Sequence, residues 1–315
     1  MADGEARILG ATDDFREAMV AALSGAPKRI SPKWFYDETG SALFEEITRL
    51  DEYYPTRTEA ALLSRIAPEL SAFIPDGAVL VEFGSGASAK TRILLDAAPQ
   101  LSAYVPLDIS AEALAAAAGR INADYPALAV HPVVGDFTRP MTLPRAVAGL
   151  PRIGFFPGST IGNFAPETAV SFLRQVRLLL GEGASMIIGA DMVKDGAALE
   201  AAYDDARGVT AAFNLNLLAR ANRELGADFD LSAFAHRAVW NPAAGRIEMH
   251  LVSGKPQAVR IDGRSFLFSE GETLHTENSY KFTRAGFEAL AASAGWKLGG
   301  GWVSPPPEFA VFLIR

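Results

Sequence analysis

Residues 78–92 read AVLVEFGSGASAKTR, and no other stretch limits so tightly what this chain can become. An apolar, partly β-branched run stops at Gly84-Ser85-Gly86, and small residues then open a helix. A buried strand ending in a glycine turn and a helix N-terminus aims backbone N–H groups at a ligand held over a sheet edge. Gly84-x-Gly86-x-x-Ala89 also satisfies the loose form of the dinucleotide fingerprint. Taken alone, the stretch specifies a nucleotide-like cofactor and leaves open which one.

The same unit recurs along the chain. A second strand over 102–107 ends at Asp108, and Ser110 caps an alanine-rich helix that runs through Arg120. A third strand, 129–134, ends in Gly135-Asp136-Phe137; a fourth, 152–156, runs into Pro157-Gly158-Ser159-Thr160 and Asn163; a fifth, 186–190, ends at Asp191. Helices are predicted over 13–23, over 58–70 from a threonine start, over 88–97, from Pro166 onward and over 285–294. Alternating strands and helices predict an α/β fold, a mostly parallel sheet with its ligand at the carboxyl ends of the strands. Near Lys194 the pattern changes. Residues 198–225 read as one long helical region, and 234–251 and 258–268 alternate apolar and polar residues as a meander does. The sheet then resumes, and 297–303 with 309–314 predict a closing antiparallel hairpin. The expected division is a cofactor-binding domain of 58–195 and 281–315, and a smaller α+β domain of 1–57 and 196–280.

With 315 residues, 49% of them hydrophobic, the chain can bury a substantial core. Its net charge of −8, with lysine and arginine dispersed, argues against nucleic acid as a partner, because phosphate binding needs concentrated basic surface. The absence of cysteine excludes disulfides, thiolate metal sites and a cysteine nucleophile, and fits a cytoplasmic protein. The N-terminus carries early acids and no apolar run, and no segment approaches the roughly 18 apolar residues of a membrane helix. The expectation is a soluble, unprocessed chain without a membrane partner. His131, His236, His250 and His275 show no metal-ligand spacing, so no metal is expected.

Strand-end acids discriminate between cofactors. Asp108 stands where a carboxylate accepts hydrogen bonds from both ribose hydroxyls of a nucleoside. Asp136 and Phe137 stand where a carboxylate holds an adenine amino group and a ring stacks on the base. Together with Gly84 and Gly86 they favour S-adenosylmethionine over NAD, although an NAD-dependent oxidoreductase and a non-catalytic cofactor binder remain alternatives. Lys90, one turn into the helix, is either a surface residue or the partner of a cofactor carboxylate. Asn163 sits where methyltransferases of this fold approach their acceptor, and an asparagine both donates and accepts. Residues 28–55 hold Trp34, Phe35, Tyr36, Phe44, Tyr53 and Tyr54 among polar residues, either a pocket wall or a helical cap whose rings are core. Glu277-Asn278-Ser279 is a polar cluster just before the sheet resumes, near the seam where ligand sites tend to lie.

At this point KWFYDETGSALFEEITRLDEYYPTRTE, VEFGSGASAKTR, FFPGSTIGNF, YDDARGVTAAFNLNLL and HTENSYKF together identify a resemblance. From about Pro27 to Arg315 the chain resembles the L-histidine Nα-methyltransferases of ergothioneine biosynthesis. The resemblance implies a class I, Rossmann-like methyltransferase domain, with an antiparallel last strand, plus a substrate domain. It implies transfer of three methyl groups from S-adenosyl-L-methionine to the α-amine of L-histidine. Hercynine and S-adenosyl-L-homocysteine would be the products. Carried over by motif, Gly84, Gly86, Lys90, Asp108, Asp136 and Phe137 would hold the cofactor. Tyr53, Asn163 and Tyr203 would hold the amino-acid backbone, Glu277 and Ser279 the imidazole, and Met249 the side-chain pocket. Tyr36 and Phe44 would lie near the amine, with Tyr36 and Asn163 closest to the chemistry. The family likeness also suggests a monomer. A methyltransferase acting on another amino acid or an indole is the nearest alternative.

Overall fold

The structure, a computed structural model, describes residues 11–86 and 89–315. In chain order the elements are α1 (Ala11–Ser24), β1 (Lys28–Arg29), α2 (Glu38–Ile47), α3 (Tyr54–Ser71), β2 (Val79–Phe83), α4 (Ala89–Ala97), β3 (Ala103–Asp108) and α5 (Ala111–Asp124). Then follow β4 (Ala129–Val130), β5 (Val133–Val134), β6 (Arg152–Phe156), α6 (Pro166–Leu180), β7 (Ser185–Asp191), α7 (Gly196–Tyr203) and α8 (Val209–Leu225). The chain closes with β8 (Phe234–Asn241), β9 (Arg246–Ser253), β10 (Gln257–Ile261), β11 (Arg264–Phe268), β12 (Thr273–Tyr280), α9 (Arg284–Ser293), β13 (Leu298–Val303) and β14 (Phe309–Ile314). Two compact units result, Tyr54–Lys194 with Ser279–Arg315, and the stretch up to Tyr53 with Asp195–Asn278.

The first unit is built on an eight-stranded sheet of order β13-β14-β7-β6-β2-β3-β4, with β5 also on β3. The β2, β3, β4, β5, β6 and β7 pairings are parallel, while β14 enters antiparallel to β7 and β13 antiparallel to β14. Alternation decides what covers each face. Val79, Val81 and Phe83 join Phe172, Leu173 and Val176 of α6 and Phe287 and Ala291 of α9. Leu80 faces the other way, with Leu62, Leu63, Ile66 and Leu70 of α3. Each fully buried aliphatic side chain of these layers contributes about 1.5–3 kcal/mol. A parallel sheet covered on both faces, with strand order turning back at β2 and β6, is the doubly wound α/β fold of class I methyltransferases.

Several expectations need correction. The third strand is interrupted: Pro132 has no N–H to give the ladder, and β4 and β5 are two residues each. The helix expected from Thr58 begins a turn earlier, at Tyr54, with Pro55 in its first turn, a position where proline's missing donor costs nothing. The helix expected from Ser88 is described from Ala89 onward, Ser88 lying outside the described residues. The N-terminal expectation falls largely on residues 1–10, which also lie outside them.

Glu82 shows what the parallel core tolerates. It is 2% exposed, and Thr91 donates to its Oε2 at 2.7 Å while the Tyr104 hydroxyl donates to the same oxygen. Burial dominates these bonds and pushes the carboxyl up to about 8. The native state therefore keeps a proton that the unfolded chain releases above about pH 4.5, and stability falls as pH rises through the window between them. At pH 7 the cost is on the order of 3 kcal/mol. Glu82→Gln, which imitates the protonated acid, is expected to raise the melting temperature at pH 8 more than at pH 5; an equal shift at both pH values would mean that Glu82 titrates normally.

The second unit carries a four-stranded sheet of order β1-β12-β9-β8 and a separate β10–β11 hairpin. The long helical region splits into α7 and α8, because Asp205 accepts from Val209 N–H at 3.0 Å and Thr210 N–H at 2.7 Å and so starts a new helix. These N–H donors outweigh the effect of burial, the largest single influence, and hold the Asp205 carboxyl below its usual range. The polar cluster at 277–279 lies within β12.

Candidate active site

In the sheet unit, β2 delivers the chain to Gly84 and Gly86 at φ +77° and +40°, which side chains other than glycine rarely adopt. A Cβ on Gly84 would meet only the Phe137 ring, at 3.7 Å, and one on Gly86 would meet nothing within 4 Å. Asp108, half-buried at the end of β3, is fixed by Ser110 N–H donating to its Oδ1 at 3.0 Å. Beyond β5, Asp136 Oδ1 accepts from Thr138 N–H at 3.0 Å, and Phe137 packs edge-on to Phe83 and Phe156. A bare glycine cradle, two carboxylates at successive strand ends and a ring beside the turn fit an adenosine with its methionine moiety. Asp108→Ala is accordingly expected to weaken S-adenosylhomocysteine binding at least tenfold by calorimetry, in line with a lost hydrogen bond to a charged group.

Lys90 has a protein partner. Its ammonium pairs with Glu59, which is fully buried on the apolar stripe of α3 and accepts from Gly158 N–H at 2.8 Å. Glu59 was not anticipated; the signal was a lone acid in register with Leu62, Leu63 and Ile66. Gly189 on β7 leaves room for it, since a Cβ there would lie 1.9 Å from Glu59 Oε1. Asn163 ends a short 3-10 turn, Thr160–Asn163, directly after β6. The preceding Gly162 approaches β12 so closely that a Cβ would lie 2.7 Å from Tyr280 O. Ser279 accepts from Lys281 Nζ at 2.9 Å, and Lys281 pairs with Asp191 at 2.9 Å.

In the other unit, four expected residues form one chain of rings. Tyr36 meets Phe44 at 5.6 Å, Phe44 meets Tyr53 at 6.2 Å, and Tyr53 meets Tyr203 at 6.0 Å between centroids. Phe213 of α8, which is not among the expected site residues, touches Tyr36 and Phe44 at 5.8 and 6.0 Å. Asp37 sets the frame: it accepts from Gly40 N–H at 2.7 Å to start α2 and from Asn216 Nδ2 at 2.7 Å. Gly40 is obligatory there, since a Cβ would lie 1.8 Å from Phe35 O. His236 holds the Tyr203 backbone, donating from Nε2 to its carbonyl at 2.8 Å while Nδ1 accepts from Asn214 at 2.8 Å. Met249 is buried on β9, and Thr276 Oγ1 donates to its carbonyl at 3.0 Å. Glu277 is half-buried, and its carbonyl accepts from His275 Nε2 at 2.9 Å.

The sheet order and the family match together define the class, a Rossmann-like, S-adenosylmethionine-dependent methyltransferase. Residues 15–315 match the family described as "Histidine-specific methyltransferase, SAM-dependent", and the chain belongs to it. It is 44% identical over 312 residues to the histidine N-alpha-methyltransferase of Mycolicibacterium smegmatis, covering 96% of this chain and 95% of that one. Against the enzyme of the same name from Mycobacterium tuberculosis it is 44% identical over 305 residues, covering 95% and 94%. Ergothioneine biosynthesis protein 1 of Neurospora crassa is 30% identical over 284 residues, which are 88% of this chain and 32% of that longer protein.

Proposed function

We propose that the enzyme transfers three methyl groups in turn to the α-amine of L-histidine, giving hercynine, the first step of ergothioneine biosynthesis. The observation that carries this reading is the likeness to a histidine N-alpha-methyltransferase over 96% of the chain. When bound, S-adenosylmethionine supplies an electrophilic methyl on a sulfonium; displacement by an amine lone pair needs no covalent enzyme intermediate and no Lewis acid. Gly84, Gly86, Asp108, Asp136 and Phe137 would hold the cofactor, with Lys90 acting through Glu59 to set the Gly158 loop. The work of this chain's residues is positioning and exclusion of water. Tyr53, Asn163 and Tyr203 would hold the amino-acid backbone, and Tyr36 and Phe44 would flank the amine. Aromatic rings suit an acceptor that ends as a permanent cation, since they attract it without the tight hold of a fixed anion. Glu277 and Ser279 would take the imidazole, with Met249 shaping the pocket. The reading includes a monomeric, cytoplasmic enzyme.

Calorimetry tests the partner set. S-adenosylhomocysteine and histidine should bind, while NAD and tryptophan should not do so at comparable concentration. Binding of tryptophan as tight as that of histidine would favour the indole alternative.

A further inference from the structure

Residues without metal-ligand spacing in the sequence come together in the second unit. Glu248 and His250 stand two residues apart on β9, and His275 lies on β12 beside it. Ser253 N–H donates to Glu272 O at 2.9 Å and Thr276 Oγ1 to Met249 O at 3.0 Å, bonds that set one antiparallel register with His250 across from His275. Their rings lie 4.5 Å apart, and one ligand atom from each of Glu248, His250 and His275 falls within 4.8 Å of the others. Spacing along the sequence could not show this, because strand pairing brings position 275 to position 250.

We propose that Glu248, His250 and His275 bind one divalent transition-metal ion of the zinc class, with water completing a four-coordinate shell. His250 Nε2 and Glu248 Oε2 are 3.2 Å apart. Bonds of about 2.0 Å meeting at the tetrahedral angle put two ligands about 3.3 Å from each other. Supporting bonds hold two of the three ligands, His275 and Glu248. His275 gives its Nε2–H to the Glu277 carbonyl, which leaves Nδ1 as the lone-pair donor, the arrangement that orients metal-bound imidazoles. Arg246 at 2.6 Å and Asn241 at 3.0 Å hold Glu248 Oε1, leaving Oε2 toward His250.

The surroundings select the ion. Arg246 pairs with the one carboxylate, Arg237 lies opposite His250 and Arg29 opposite His275, so the field is not one that attracts a hard cation by charge. Two imidazole nitrogens favour zinc, copper or nickel over magnesium or calcium.

The test uses the untagged full chain, stripped with a chelator and titrated with zinc sulfate by calorimetry, with metal content measured by atomic emission. One zinc per chain is expected. Glu248→Gln and His275→Gln should each weaken binding at least tenfold, the double His250→Gln/His275→Gln variant should abolish it, and His131→Gln and magnesium serve as controls. Cobalt(II) added to the unaltered chain should give the intense visible bands of a four-coordinate site, a readout that does not depend on a variant folding. Zinc bound equally by the double variant, or a six-coordinate aqueous cobalt spectrum, would overturn the proposal. Neither readout involves methyl transfer, so the site stands or falls apart from the proposed reaction.

Discussion

Replacing Asp191 with alanine is expected to cost the enzyme about 3–5 kcal/mol of stability, the range for breaking a buried ion pair from one side. Asp191 has no exposed surface at the end of β7. It accepts from the Tyr54 hydroxyl at 2.7 Å, from Lys194 Nζ at 2.5 Å and from Lys281 Nζ at 2.9 Å. Burial is the largest influence on its carboxyl and would raise it, but Lys281 and Lys194 together hold it below the ordinary range, so it is an anion at neutral pH. Its contribution is therefore present above the unfolded carboxylate value and is lost as pH falls through the lower native one. Alanine at 191 leaves two lysines, 6% and 0% exposed at their side chains, without their counter-ion. Asp191→Asn keeps the side-chain volume and one of the two acceptor oxygens and should lose less than alanine. Converting Asp191, Lys194 and Lys281 together to apolar residues of similar size should restore much of the loss. Urea denaturation measures all three, and a loss below about 1 kcal/mol for Asp191→Ala would show that the lysines find other partners.

The second large effect belongs to Glu277. If its carboxylate receives the imidazole N–H, Glu277→Ala removes a charge-assisted bond of about 2–3 kcal/mol, which raises the Michaelis constant for histidine roughly 100-fold. The affinity for S-adenosylmethionine should stay within about twofold, because Asp108 and Asp136, not Glu277, are assigned to the nucleoside. Discrimination should fall with it: an anion left without an N–H partner penalises phenylalanine, and alanine removes that penalty. Equal losses of histidine and cofactor affinity would assign Glu277 a structural role.

Much of the sheet unit was legible because its strands are short apolar runs closed by glycine or an acid. Gly84, Asp108 and Asp136 lie at strand ends where the alternation placed them. Its boundaries were less legible: Tyr54 opens α3 where Thr58 looked like the start, and Pro132 splits a strand by a missing donor. The break between α7 and α8 depends on Asp205 turning its carboxylate onto the next helix, a local bond that alanine-rich flanks conceal. What the sequence hid most completely was pairing at a distance. Glu59 with Lys90, Asp191 with Lys281, and His250 with His275 are each brought together by the sheet or the helix packed on it. Phe213 lies in a long helical region, and its contacts with Tyr36 and Phe44 set it among the expected aromatic residues.

Mass spectrometry of L-histidine incubated with the enzyme and S-adenosylmethionine tests the proposed reaction most directly. The predicted result is successive appearance of mono-, di- and trimethylated histidine, with the trimethylated species accumulating and S-adenosylhomocysteine formed once per methyl. Histidine left unmethylated by an enzyme that binds S-adenosylmethionine, or methylation confined to tryptophan, would contradict it.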